Sequence, residues 1–592
     1  MIKLYGETSG GRPRPPQTSN KRRGIFMVLA AFCLVAVMAF IALSVDLGVI
    51  SLTKTRMQNA VDAAALAAAT EITNAVQQAG QESGQSGDPN AVQDANGIAV
   101  AAAKQMAAEV AELNGIYVDP DTDVRFGKRI YNGTSFEIQW GVSPYNVVQV
   151  FARRDNEDAG APDSKLKLFF APVLGNDSVA IAANAIAFVE ARDIAVVLDY
   201  SGSMGYDSHF RGIGANTKAQ IESRLDDCWD ALVDSGVTFT NTSTVKFPAG
   251  GFGSITSAVG VNNTNTNSTT VFNALNLGAT NADGSLKYPF PQEGKNSDGT
   301  MKGLPTATAS KNAWLAYIDY VRTDSYVNSA GYRYKYGYRT LMNYMLSSRR
   351  AWNQSEDLWR TPHQPFDSMK KGMTLFCEFL DGLEFGDHLG LVVYGTTSKI
   401  MTGLDEADLE ETVDLGDELI TGNHMDIDKI QKHKQAAHYD GETNIGDGIK
   451  DAITLLEDHG RYGARPTILL MTDGIANRKP SGWSLPGGWN WAALTDSDGD
   501  GDADYTSSDT NVQYTFYQAK RAIDKGFTIH TLAVGAGADV AMMQAIANAG
   551  GGICMVVPGN TSIEAMQDEL LAAFSQIAAN VPPPKLLMEV TE

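Results

Sequence analysis

The chain has 592 residues, with 47 Lys and Arg against 69 Asp and Glu, and its formal charge of -22 repels phosphate backbones, which excludes nucleic-acid binding. With 43% hydrophobic and 20% charged residues it is too apolar to be disordered throughout, and its length favours several domains over one core. Cys33, Cys228, Cys377 and Cys554 form no C-x-x-C pair, and there is no H-E-x-x-H, G-x-S-x-G or G-x-x-x-x-G-K, so neither a disulfide framework, a zinc ribbon nor an enzyme is expected.

A basic tail, residues 1–24, carries Lys3, Arg12, Arg14, Lys21, Arg22 and Arg23 against the single acid Glu7. The uncharged run IFMVLAAFCLVAVMAFIALS follows, and at about 1.5 Å per residue it is long enough to cross a hydrocarbon layer of roughly 30 Å. This predicts a transmembrane helix over 25–45. The positive flank places the N-terminus in the cytoplasm and everything after Asp46 on the periplasmic or extracellular side, a single-pass topology. The run is longer than the core of a cleaved signal peptide, and Lys54-Thr55-Arg56 follows instead of a small-x-small exit.

From Asp46 the alanine- and leucine-rich sequence reads on as helix, giving one rod of some fifty residues. Ala60, Ala63, Ala64, Ala67 and Ala68 form a small-residue face that admits another helix, although alanine is also simply the best helix former. The basic tail, Gly24, Val45-Asp46-Leu47-Gly48, Arg56-Met57-Gln58-Asn59 and Asp62-Ala63-Ala64-Ala65-Leu66-Ala67 together resemble the N-terminus of TadG-type proteins. These are pilin-like components of the tight-adherence (Flp) pilus assembly machinery. The resemblance covers about 21–72 and is vaguer to 190. It implies the bacterial cytoplasmic membrane as location and other pilin-like membrane helices as partners. Leu29 stands where processed pilins place a glutamate, so an uncut anchor is expected.

Polar residues over 78–97 predict a loop, and a helix from Ile98 to Leu113 ends at Asn114-Gly115. Strand signals at 123–127, 135–140 and 146–152 suggest a small α+β, pilin-like domain within 46–190. SVAIAANAIAFVE near its end reads as strand or helix. Next comes IAVVL, residues 194–198, as apolar as a strand buried on both faces. Comparable runs recur at 388–394, 467–471 and 527–534. The helix between the first two, 366–383, carries Met369, Met373, Phe376, Leu380 and Leu383 on one stripe. This alternation predicts an α/β fold, a doubly wound, mostly parallel sheet spanning 191–580, with ligands at the carboxyl ends of its strands.

The first of these strands ends in Asp199-Tyr200-Ser201-Gly202-Ser203, a D-x-S-x-S pattern whose two hydroxyls can point at one spot with a carboxylate behind them. Hydroxyls plus carboxylates acting through water suit a hard cation such as Mg²⁺. Thr443 in GETNIGDGI and Asp473 in TILLMTDG fall at the same sheet edge. Singly each is more often a cap or turn former. In this order they resemble the von Willebrand factor A domain and its metal-ion-dependent adhesion site (MIDAS). That resemblance implies Mg²⁺, or Mn²⁺, held by the hydroxyls of Ser201, Ser203 and Thr443, with Asp199 and Asp473 acting mainly through water.

Two inserts interrupt this domain. The first, 205–365, is domain-sized and leaves the binding edge, so it should stand over or beside the metal. Its Tyr332, Tyr334, Tyr336 and Tyr338 read as one strand face, an exposed patch or simple packing. The second, 478–511, holds Asp496, Asp498, Asp500, Asp502 and Asp504 in an EF-hand-like opening, but Ser507 stands where the closing glutamate belongs. A weak Ca²⁺ loop or a solvated acidic turn both fit. A tail, 581–592, closes the chain.

The combined expectation is a membrane-anchored protein-binding or adhesion component of Flp pilus assembly or surface attachment, capturing a Glu or Asp of a protein partner at a metal-loaded site. The alternative is a structural envelope protein whose metal only stabilises the fold and whose large insert carries the interactions.

Overall fold

The computed structural model describes residues 22–87, 91–233, 238–240, 243–244, 267–290, 305–348, 356–404, 413–436, 441–559 and 562–587. The basic tail up to Lys21, much of the stretch near 239–282 and the end of the C-terminal tail lie outside these residues.

Helix α1 runs from Arg22 to Ser86 without interruption, and α2 from Ala91 to Leu113. The loop predicted over 78–97 is therefore helical in most of its described part. Gly80 and Gly84 are the reason. Added β-carbons there would lie 2.3 Å from Ala579 Cβ and 2.7 Å from Ala572 Cα. These glycines serve close helix contact, which outweighs their poor intrinsic propensity. Ala60, Ala64 and Ala68 are likewise buried against this chain's own residues. Residues Phe26 to Leu47 present an apolar surface with many exposed side chains, and α1 is the one described helix long and apolar enough to cross a membrane.

The chain divides into two units. The first joins α1 up to Ala64 with residues 107–124 and 150–185. Within it Gln58 donates to Asn184 O (2.9 Å), and the Asp46 carboxylate accepts from the backbone of Phe169, Phe170 and Ala171.

The second unit holds residues 65–106, 125–149 and 186–592. Strands β1 (Val124–Tyr131), β2 (Phe136–Trp140), β3 (Val147–Arg154) and β4 (Ile181–Phe188) form, with a short C-terminal strand at Lys585–Leu586, a five-stranded sheet in the order C-terminal strand, β4, β3, β1, β2. SVAIAANAIAFVE is thus strand. After it come β5 (Arg192–Asp199), α3 (Lys218–Val233), α4 (Ala307–Thr323), α5 (Tyr338–Ser348) and α6 (Phe366–Leu383). Next are β6 (His388–Tyr394), β7 (Ser398–Ile400), α7 (His424–Lys432), α8 (Ile445–His459) and β8 (Arg465–Thr472). The domain ends with α9 (Thr510–Asp524), β9 (Thr528–Val534), α10 (Val540–Ala549), β10 (Gly551–Val557) and α11 (Ile563–Ala579).

Strands β5 to β10 make a six-stranded sheet in the order β7-β6-β5-β8-β9-β10, parallel except for the edge strand β7. Numbered from its own first strand this is 3-2-1-4-5-6, the doubly wound order, with its switch point between β5 and β8. All eight residues of β5 are buried, as a central strand covered on both faces requires. Ala195 and Val197 face a core shared with Ile445, Ile449, Ala452 and Phe516 of α8 and α9. On α6, Gly372 leaves room for the Phe574 ring of α11, which an added β-carbon would meet at 2.4 Å.

The large insert builds its own core around Trp314, Tyr317, Tyr336, Phe290 and Leu225. Its four tyrosines lie in a turn before α5 and at the first residue of that helix. They do not form a strand face: Tyr332 and Tyr336 are buried, and Tyr334 sits at φ +64°. Packing explains them.

Candidate metal centre

The site begins with hydrogen bonds that hold the end of β5 against its neighbours. Tyr200 N donates to Tyr394 O (2.7 Å), and Tyr394 Oη donates to Met471 O (2.7 Å), so the ends of β6, β5 and β8 are tied at the switch point. Leaving β5, Asp199 folds back to accept from Ser201 N at 2.8 Å. This Asx-type turn places Ser201 and Ser203 on one side, their Oγ atoms 3.0 Å apart. From β8, Asp473 Oδ1 accepts from Ser203 Oγ at 2.6 Å, and Thr472 Oγ1 donates to Asp199 Oδ2 at 2.8 Å.

Thr443 stands one residue before Asn444, the N-cap of α8, and is locked by a reciprocal pair: its N–H donates to Asn477 Oδ1 (2.7 Å), and Asn477 N donates to Thr443 O (3.1 Å). A β-carbon at Gly474 would lie 3.6 Å from both Ser203 Oγ and Thr443 Oγ1, so the third hydroxyl faces the same space. All five residues named from the sequence, Asp199, Ser201, Ser203, Thr443 and Asp473, thus converge. Sequence reading missed Thr472 and Asn477, which orient them. Thr472 directly precedes Asp473, and a hydroxyl beside a strand-ending acid was the available signal.

Electrostatics test whether a cation fits. Asp199 is fully buried, and burial raises its carboxyl pKa, opposed by hydrogen bonds from Ser201 and Thr472. Asp473 is driven well above the ordinary carboxylate range, first by burial and then by the negative charge of Asp199. The further charge acting on it, from Asp207, is also acidic, and among the described residues neither site carboxylate forms an ion pair with Lys or Arg. Two buried acids facing each other with three neutral hydroxyls form an oxygen donor set that lacks positive charge, and a hard divalent ion fits it.

A cleft of about 190 Å³ opens directly over Ser203 and Asp473. Its other walls are Tyr206, Asp207, Arg211 and Asn216 from the start of the large insert, and Gly535 and Gly537 beyond β9. The insert therefore does border the site. Asp207 is held by Asn216 and Arg224, which ties that wall to α3.

In the second insert the carboxylates of Asp496, Asp498 and Asp504 lie within 4.8 Å of one another. Asp500 and Asp502, named with them from the sequence, are not part of that group. The loop turns at Gly499 and Gly501, both with positive φ, and Asp500 Oδ1 turns back to accept from Asp502 N at 2.8 Å.

Residues 24–71 match the Tad family model, described as Flp pilus-assembly TadE/G-like. The N-terminal segment is TadE/G-like. No curated protein matches the chain. Among solved structures, the chain is similar to a von Willebrand factor type A protein from Catenulispora acidiphila, at 14% identity over 36% of this chain and 38% of that one, with a TM-score of 0.22. The chain thus spans well under half the length of that structure. It is also similar to the vWF domain of the type V pili tip protein Mfa5 from Porphyromonas gingivalis, at 14% identity over 39% of this chain and 90% of that one, TM-score 0.23. A third is proximal thread matrix protein 1 from the mussel byssus with a zinc-occupied MIDAS motif, at 15% identity over 66% and 97%, TM-score 0.22. At such scores the von Willebrand A-like character of the domain behind the TadE/G-like segment rests on its own strand order and on the hydroxyl–carboxylate cluster at the switch point.

Proposed function

We propose that this protein is a membrane-anchored binding component of Flp pilus assembly or surface attachment, which captures an acidic side chain of a protein partner at a divalent-metal site. The observation that supports this most is the pair of buried acids, Asp199 and Asp473, set beside three hydroxyls beneath an open cleft, with no basic side chain among the described residues paired to them. Mg²⁺ or Mn²⁺, when bound, supplies a Lewis-acidic centre that neutral hydroxyl ligands leave electron-poor and ready for one more carboxylate.

The residues of the chain do the rest. Ser201, Ser203 and Thr443 would hold the ion, while Asp199, fixed by Ser201 N and Thr472, keeps the turn in shape. Asp473 orients the Ser203 hydroxyl. Arg211, exposed on the cleft wall, offers a guanidinium to the same incoming carboxylate. Nothing in this arrangement activates a nucleophile, and binding without turnover is the role proposed. Partner affinity measured with Mg²⁺, with chelator and in Asp199→Ala tests the proposal: affinity should collapse in the last two, and equal binding in all three removes it.

A further inference from the structure

In the first unit, Leu168-Phe169-Phe170-Ala171-Pro172-Val173 is an apolar loop that does not hide its side chains. Phe169 is 71% exposed and Val173 87%. The loop lies along α1: Leu168, Phe170, Ala171 and Val173 line an apolar cleft of about 260 Å³ with Ala39, Ala42, Leu43, Leu47 and Ile50. Ala39 to Leu43 belong to the apolar run of α1, and the exposed face of that run continues directly into the loop.

A loop entering hydrocarbon must first satisfy its backbone. Here Asp46, only 4% exposed, accepts from Phe169 N (2.8 Å), Phe170 N (3.1 Å) and Ala171 N (2.7 Å). Leu168 N donates to Asp177 O and Val173 N to Phe170 O, and Pro172 has no N–H. Every backbone donor from 168 to 173 is accounted for within the chain, while the apolar side chains around them point outward. A loop meant for water has no need of that combination.

We propose that residues 168–173 are a second membrane-contact element, seated among the lipid chains of the leaflet opposite the basic tail and fixing the rotation of α1 about its axis. This rests on the reading that residues 25–45 span the bilayer. The occupant argued for is lipid, because the loop continues the lipid-facing surface of the span.

The test uses the full chain in phosphatidylglycerol–phosphatidylcholine vesicles. An environment-sensitive fluorophore is placed at Val173→Cys in a Cys33→Ser, Cys554→Ser background, and at Leu29→Cys as a separate reporter of the span. The expected result is blue-shifted emission at both positions, quenched by lipids carrying spin labels on their acyl chains. Quenching at position 29 with water-like emission at 173 overturns the loop proposal and leaves the span standing. Blue-shifted emission at 173 without lipid quenching means protein covers the loop and also overturns it. Absence of quenching at 29 removes the spanning reading itself.

Discussion

Ser203 and Asp473 are 270 positions apart in the chain, yet the hydroxyl of one donates to the carboxylate of the other at 2.6 Å. This bond joins the first strand of the doubly wound sheet to the fourth, across its switch point. Were either strand one residue out of register, these side chains would point to opposite faces and the cluster would not exist.

The two buried acids should make the domain respond to divalent ions. Mg²⁺ at about a hundred times its dissociation constant should stabilise the fold by about 2.7 kcal/mol, read as a rise in melting temperature. Asp473→Asn should abolish that rise. In chelator the same variant should be at least as stable as the wild type, since it removes one of two mutually repelling charges. A clear loss of stability in chelator would argue against an acid pair waiting for a cation.

His363 gives an independent handle, through pH. Its ring is fully buried, and burial, aided by the positive charge of Lys370, lowers its pKa to about 3. A free histidine titrates near 6.5, so below that pH the unfolded chain takes up a proton that the folded chain refuses. Stability from this group is complete above pH 6.5 and falls by about 1.4 kcal/mol per unit as pH drops toward 3. His363→Gln should flatten the pH dependence of the denaturation midpoint between pH 6 and 5 by about that slope. His530 and His388, both lowered to about 4, act in the same direction.

Arg192 is 2% exposed and pairs with the equally buried Asp387, while its guanidinium also donates to Ala578 O at 2.8 Å and Asn580 O at 3.1 Å. Asp387→Ala would leave that cation buried without a counter-charge. The expected cost is about 3–5 kcal/mol in equilibrium unfolding. Replacing both residues by apolar ones of similar volume should restore much of it.

Gly80→Val tests the helix contact that the sequence did not reveal. Its side chain would enter a space where even a β-carbon is 2.3 Å from Ala579 Cβ. Overpacking of this kind costs about 1–3 kcal/mol. Gly87→Ala is a poor control, because Gly87 has φ +68° and alanine is strained there for a different reason. Gly48→Ala, where nothing lies within 4 Å, is the better one and should be neutral or mildly stabilising.

Much of this molecule was legible in the sequence because local signals and tertiary demands agreed. Twenty uncharged residues pointed to an apolar helix, the run around Ile194 to Leu198 to a covered strand, and D-x-S-x-S at its end to where hydroxyls would gather. The polar stretch that begins at Gln78 misled because composition reports propensity, whereas Gly80 and Gly84 are where they are for the sake of Ala579 and Ala572, nearly five hundred residues away. In the acidic loop the regular spacing of five aspartates did not by itself say which carboxylates come together; Asp496, Asp498 and Asp504 do, around left-handed turns at Gly499 and Gly501. Sequence alone thus determined which groups the chain carries and the strands that bear them. Only the folded sheet decided that Asp199 and Asp473 share one buried space, and only the packing of the insert decided that Tyr206 and Arg211 stand beside it, since both facts depend on contacts between segments that no local pattern connects.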